Sequence, residues 1–156
     1  MRELSLVKRR QEVRGTYNGS VVIDDFAHHP RAITLTVEAI QAAYPEKNIV
    51  TVFEPISATA RSSIFQKEFA ESLLESDKVI IAQSSIQTTA KNQNNLDCEK
   101  LIHDISAKGI ESVCSQNLQQ LRGEIDKRID EDSVLLVLSN RTCIGLWESE
   151  FVKKLS

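Results

Sequence analysis

Short continuous runs of β-branched and aliphatic residues, separated by helical stripes, constrain this chain more than any other feature. Val21-Val22-Ile23, Ile49 to Phe53, Val79 to Ala82 and Val134 to Leu138 are apolar without alternation. Such runs mark strands covered on both faces, as in a parallel sheet. Glu111 to Cys114 is a weaker strand candidate. Glu12 to Tyr17 can pair with residues 20–25 through Asn18-Gly19, a strong hairpin signal. Between the runs, Ile33, Val37 and Ile40 form an i, i+4, i+7 stripe, with Pro30 suited to the first turn. Ile64, Phe65, Phe69 and Leu73 form a second stripe, and Leu101, Ile102 and Ile105 a third, with Asp97 as N-cap and Gly109 beyond its end. Leu118, Leu121, Ile125 and Ile129 form a fourth, and Leu146 to Leu155 reads as a short terminal helix. An amphipathic helix buries such a stripe in a core. The alternation predicts a single doubly wound α/β domain over residues 1–156, mostly parallel, with helices on both faces.

Composition excludes several classes. With 156 residues, 41% of them hydrophobic, the chain can bury roughly two-thirds of its unfolded surface and is neither a disulfide-stapled miniature nor a disordered tail. No apolar run approaches the ~20 residues of a membrane span, and no signal-peptide pattern opens the chain. Cys98, Cys114 and Cys143 are far apart and form no C-x-x-C pair, which argues against a zinc or redox motif and fits a reducing cytoplasm. The net charge of −3 disfavours nucleic-acid binding. Residues 1–14 nevertheless carry five basic and two acidic side chains. They read either as a solvated terminus or as the partner of one local anion. Ser84 to Asn95 is the one long polar stretch and is expected to be a mobile loop.

Open α/β sheets bind ligands beyond the carboxyl ends of their strands. Those positions here are Asp24 to Pro30, Glu54 to Arg61, Gln83-Ser84-Ser85 and Ser139 to Thr142. The first holds two carboxylates and two imidazoles ahead of a helix N-terminus. It could hold a ribose, an anion or a metal, or an aspartate could simply cap the helix. Against a metal, adjacent histidines point apart and His103 is remote in sequence. Glu54 could be a general base or could bond backbone N–H groups. Arg61 opens a helical pattern where its charge opposes the dipole, a hint of an anionic ligand. There is no G-x-x-x-x-G-K-[ST], G-x-G-x-x-G or G-x-S-x-G. The chain therefore carries no phosphate cradle of its own.

Lys8-Arg9-Arg10-Gln11-Glu12, Val22-Ile23-Asp24-Asp25-Phe26-Ala27-His28-His29-Pro30 and Val52-Phe53-Glu54-Pro55 together resemble the C-terminal domain of the Mur ligases. The resemblance implies one Rossmann-like domain, with residues 1–14 as its junction to a central ATPase domain, and a further N-terminal domain for the UDP-sugar. It implies an ATP- and Mg²⁺-dependent ligase in which ATP phosphorylates the carboxylate of UDP-N-acetylmuramate. An amine then attacks the acyl phosphate to form an amide. ATP and Mg²⁺ would be held mainly by the central domain, and this domain would be inactive alone. By position, Arg10, Asp25, Phe26, His28 and His29 fall on the nucleotide side. Ser57, Thr59, Arg61, Ser139 and Asn140 fall on the acceptor side, and no metal site is implied. Glu54-Pro55 with Ser57, Thr59 and Arg61, and Ser139-Asn140, are similar to the branch that adds the tripeptide L-alanyl-γ-D-glutamyl-meso-diaminopimelate. Ile56, Ala58 and Arg141-Thr142 depart from that branch's pattern. The branch that adds L-alanine is the nearest alternative, and a stand-alone nucleotide-binding or interaction module is the alternative of another class.

Overall fold

The computed structural model describes residues 11–27, 29–55, 66–83, 98–139 and 142–156. Among these residues six strands form one sheet: β1 (Glu12–Tyr17), β2 (Ser20–Asp25), β3 (Asn48–Phe53), β4 (Lys78–Ala82), β5 (Glu111–Ser115) and β6 (Ser133–Leu138). Their spatial order is β1-β2-β6-β3-β4-β5. All neighbours are parallel except the β1–β2 hairpin. The hairpin turns at Asn18 and Gly19, with φ of 52° and 83°. Positive φ at both central residues matches the twist of the flanking strands, which is why Asn-Gly is favoured there.

The helices are α1 (Pro30–Ala43), α2 (Gln66–Ser72), α3 (Cys98–Ser106), α4 (Leu118–Arg128) and the short α5 (Glu150–Lys153), preceded by a 3₁₀ turn at Leu146–Glu148. The central strand β6 shows why the sequence had to be apolar throughout. Val134, Leu136 and Leu138 face one core with Ile33, Val37 and Ile40 of α1, Phe69 of α2 and Leu101 and Ile105 of α3. Leu135 and Val137 face the other, with Leu121 and Ile125 of α4 and with Leu146 and Phe151. Both faces of the sheet are covered by apolar side chains, so the doubly wound expectation holds. β5 is a half-exposed edge strand, which explains its weaker signal.

Three details differ from the sequence reading or extend it. The expected terminal helix is two pieces, because Ser149 caps α5 by accepting from Phe151 N at 3.1 Å and interrupts the run after Glu148. Cys98 and Cys114 form a disulfide between the first residue of α3 and β5, with Cα atoms 6.6 Å apart. Their spacing in sequence held no sign of this pairing. It arises because the fold lays α3 beside β5, whereas Cys143 is buried and unbridged. Asp97, Ile64, Phe65 and the stretch Ser84 to Asn95 lie outside the described residues. Among the described residues, no helix is long and apolar enough to cross a membrane.

Candidate functional site

The return of the chain through α4 inserts β6 between β2 and β3, so the carboxyl ends of three strands lie side by side. Ser139 N donates to Asp25 O at 3.0 Å, and Glu54 N donates to Leu138 O at 2.9 Å. Next to them Gln83 N donates to Ser115 O at 2.9 Å. Asp24, Asp25, Glu54, Gln83 and Ser139 are all buried at this edge, each at most 2% exposed. Buried polar side chains require partners to offset lost hydration, and those partners define the local roles.

Asp25 closes a loop. Its Oδ1 accepts from Ala27 N at 2.8 Å, and its Oδ2 accepts from Gln11 N at 2.9 Å and from the Thr36 hydroxyl at 3.5 Å. One carboxylate thus joins the start of β1, the β2–α1 loop and the second turn of α1. Neither aspartate caps α1. The N-cap is His29, which makes no side-chain cap bond, and Pro30 begins the helix where its missing N–H costs nothing. Asp24 instead accepts from Arg14 Nη1 at 3.1 Å. Arg14 lies where the β1–β2 register shifts between Val13 and Gly15, and its guanidinium also sits 4.5 Å from the centroid of Trp147.

Beside this loop is a cavity of about 360 Å³ lined by Gln11, Asp25, Phe26, Ala27, His29, Ala32, Leu35 and Thr36. Its volume and its mix of an aromatic ring, aliphatic wall and few polar groups are those of a small-molecule site. Leu35, although 54% exposed, forms part of that wall. The structure therefore brings together Asp25, Phe26 and His29 of the expected nucleotide side. Sequence reading missed Gln11, Ala32, Leu35 and Thr36. The last three share one helix face, at i, i+3 and i+4, a signal that the stronger core stripe obscured. Arg10 and His28 lie outside the described residues, as do Ser57, Thr59, Arg61 and Asn140.

Ser139 does not line the cavity. Its hydroxyl donates to Glu54 Oε1 at 2.5 Å, and Glu54 Oε2 accepts from Ile144 N at 3.0 Å. Glu54 thus takes the structural option left open by the sequence: it bonds a backbone N–H and ties the end of β3 to the segment after β6.

The chain matches a family profile described as Mur ligase, glutamate ligase domain, over residues 9–141. It is 33% identical over 150 residues to UDP-N-acetylmuramate–L-alanine ligase of Streptococcus gordonii, covering 96% of this chain and 32% of that protein. It is 28% identical over 131 residues to the enzyme of the same name from Desulfitobacterium hafniense, covering 84% and 29%. The chain thus spans about a third of the length of these curated relatives. Among solved structures, the murein peptide ligase of Psychrobacter arcticus shares the fold with a TM-score of 0.74 at 22% identity, over 90% of this chain and 28% of that one. A domain of a candidate UDP-N-acetylmuramate:L-alanyl-γ-D-glutamyl-meso-diaminopimelate ligase from Haemophilus ducreyi has a TM-score of 0.68 at 26% identity, over 94% of this chain and all 100% of that one.

Proposed function

Because this chain belongs to the Mur ligase family, as its C-terminal glutamate ligase domain, we propose that it is the closing, acceptor-side domain of an ATP-dependent amide-forming ligase that extends UDP-N-acetylmuramate. The observation that carries this reading is the buried Asp25 carboxylate in the wall of the 360 Å³ cavity, with Phe26 and His29 beside it at the carboxyl end of β2. The cavity fits a nucleoside: an aromatic and aliphatic wall for a base, and a carboxylate for ribose hydroxyls. ATP, with Mg²⁺, supplies the phosphoryl group that activates the muramate carboxylate, and a central domain of the full-length protein would hold most of both.

The residues of this chain then bind and orient. Asp25, Phe26 and His29, with Arg10 and His28, bear on the nucleotide, where an arginine matches phosphate oxygens in geometry and charge. Residues 1–14 form the junction to the ATPase domain, and residues 1–156 act as one unit. Ser57, Thr59, Arg61, Ser139 and Asn140 bear on the amine acceptor. Closure over the activated carboxylate excludes water, which would otherwise hydrolyse an acyl phosphate.

For the acceptor, Glu54-Pro55 and Ser139-Asn140 favour the tripeptide L-alanyl-γ-D-glutamyl-meso-diaminopimelate. The names of the curated relatives favour L-alanine as the second reading. Full-length protein incubated with ATP, Mg²⁺, UDP-N-acetylmuramate and each acceptor separates them by phosphate release and product mass. Turnover with tripeptide is the expected result, and turnover with L-alanine alone selects the second reading. Turnover with neither leaves a nucleotide-binding or interaction module. The chain of residues 1–156 alone is expected to release no phosphate.

A further inference from the structure

Beyond the end of β6 the backbone takes a conformation that the strand does not require. Cys143, Ile144 and Gly145 have φ of 58°, 44° and 99°. Glycine enters this left-handed region freely, but a residue branched at Cβ is an outlier there. The turn is held from outside by Glu54, which is 2% exposed and lies at the end of a different strand. Its Oε2 accepts from Ile144 N at 3.0 Å, and its Oε1 accepts from the Ser139 hydroxyl at 2.5 Å. Within the turn, Gly145 N donates to Thr142 Oγ1 at 3.2 Å and Trp147 N to Thr142 O at 3.0 Å. A carboxylate is a costly way to brace a turn, since burying it without full hydrogen bonding is unfavourable; here the turn itself is half-buried, with Cys143 fully covered. Strained backbone held by surrounding structure concentrates at functional sites.

Position supplies the function. The two sequence segments that the ligase reading gives to the acceptor begin at this clamp: Ser57, Thr59 and Arg61 follow Glu54-Pro55, and Ser139-Asn140 starts at the clamped hydroxyl. We propose that Glu54 is a positioning residue for the amine acceptor. Its carboxylate sets the exit of β3 and the exit of β6 in one fixed relation and keeps residues 143–145 in the left-handed region. It does so as a hydrogen-bond acceptor and takes no proton from the amine. This inference rests on the ligase reading.

The test uses full-length protein and measures KM for acceptor and for ATP, and kcat, in three variants. Glu54→Met keeps the length of the side chain and removes both acceptor oxygens. It should raise the acceptor KM by at least about tenfold, the scale of a single charge-assisted bond where two are lost, with the ATP KM within about twofold. Glu54→Gln should stay within about threefold of the unaltered protein in acceptor KM and kcat. Its oxygen still serves Ile144 N, and its N–H₂ can donate to a Ser139 hydroxyl that has reversed. Glu54→Met with Ile144→Gly should recover only the part of the acceptor KM that is due to the turn, because glycine holds a left-handed conformation unaided while the tie between the two strand exits stays broken; no recovery at all would leave that tie as the sole role of Glu54. If Glu54→Met does not fold, Glu54→Asp replaces it with the same expectation, being one methylene too short to reach both donors. An unchanged acceptor KM in Glu54→Met, or a Glu54→Gln variant whose kcat collapses as that of a lost base would, overturns the proposal alone. No turnover by the unaltered protein with either acceptor overturns the ligase reading, and the proposal with it.

Discussion

Replacing Asp25 by alanine should destabilise the domain before it affects any ligand. In the folded chain the carboxylate receives the Ala27 and Gln11 N–H groups at 2.8 and 2.9 Å, in surroundings that leave Asp25 1% exposed. The substitution leaves both donors without that acceptor, at about 1–3 kcal/mol each, while also removing the cost of burying a charge. The Thr36 contact, at 3.5 Å, adds little because its hydroxyl can turn to another acceptor. A net loss of about 2–4 kcal/mol follows, which for a domain of this size lowers Tm by about 5–15 °C. Asp25→Asn keeps one oxygen for Ala27 N but turns an N–H₂ toward Gln11 N, so about half the loss is expected. Urea denaturation of the chain, read by circular dichroism, should show a lower midpoint with an unchanged slope. A Tm for Asp25→Ala within about 1 °C of the unaltered chain would refute the role assigned to these bonds. In the full-length protein, below the melting range, Asp25→Asn should also raise the KM for ATP and leave UDP-sugar binding intact. An unaffected KM for ATP would remove Asp25 from the nucleotide side.

Tyr17 carries a pH signature. Burial, followed by its hydrogen bond to Asp126 at 2.8 Å, raises its pKa above the ordinary 10.0. Because the folded state favours the protonated phenol, this contribution is complete below pH 10 and is lost as pH rises through the raised value. Melting curves between pH 9 and 11.5 should therefore fall more steeply for the native chain than for Tyr17→Phe; parallel curves would contradict it. Reduction of the Cys98–Cys114 bridge, or Cys98→Ser, should lower stability by about 3 kcal/mol on the chain-entropy estimate for a loop of this size. Thiol alkylation with intact-mass analysis, before and after reduction, checks that the bridge is present. Gly15→Ala should destabilise the β1–β2 hairpin, since its φ is 136° and an added Cβ would lie 2.8 Å from Ser156 O. A melting temperature equal to that of the unaltered chain would refute that contact.

Much of the fold was legible in the residues. Unbroken runs such as Val134 to Leu138 can be satisfied only between two apolar layers, and stripes such as Ile33, Val37, Ile40 supply those layers. Asn18-Gly19 announced its hairpin because few residue pairs tolerate two positive φ values. The site was legible in part: the dense Asp24 to Pro30 segment did fall at a strand end beside a cavity. The rest was not, because polar residue types do not state their partners. Asp24 and Asp25 are indistinguishable in sequence, yet successive side chains on a strand point to opposite faces. One pairs with Arg14 and the other gathers Gln11, Ala27 and Thr36.

By itself, then, the sequence determined the layers of the fold, the hairpin and the place along the chain where ligand chemistry should gather, since these depend on local periodicity and turn geometry. Only the tertiary structure decided that β6 enters between β2 and β3. That insertion brings Glu54 to Ser139 and Ile144 across separations of 85 and 90 residues. It also decided that Cys98 meets Cys114 and that Leu35 and Thr36 face a cavity. Contacts of that kind come from the spatial order of the strands in the sheet, set by pairings between residues far apart in the chain, which no local pattern encodes.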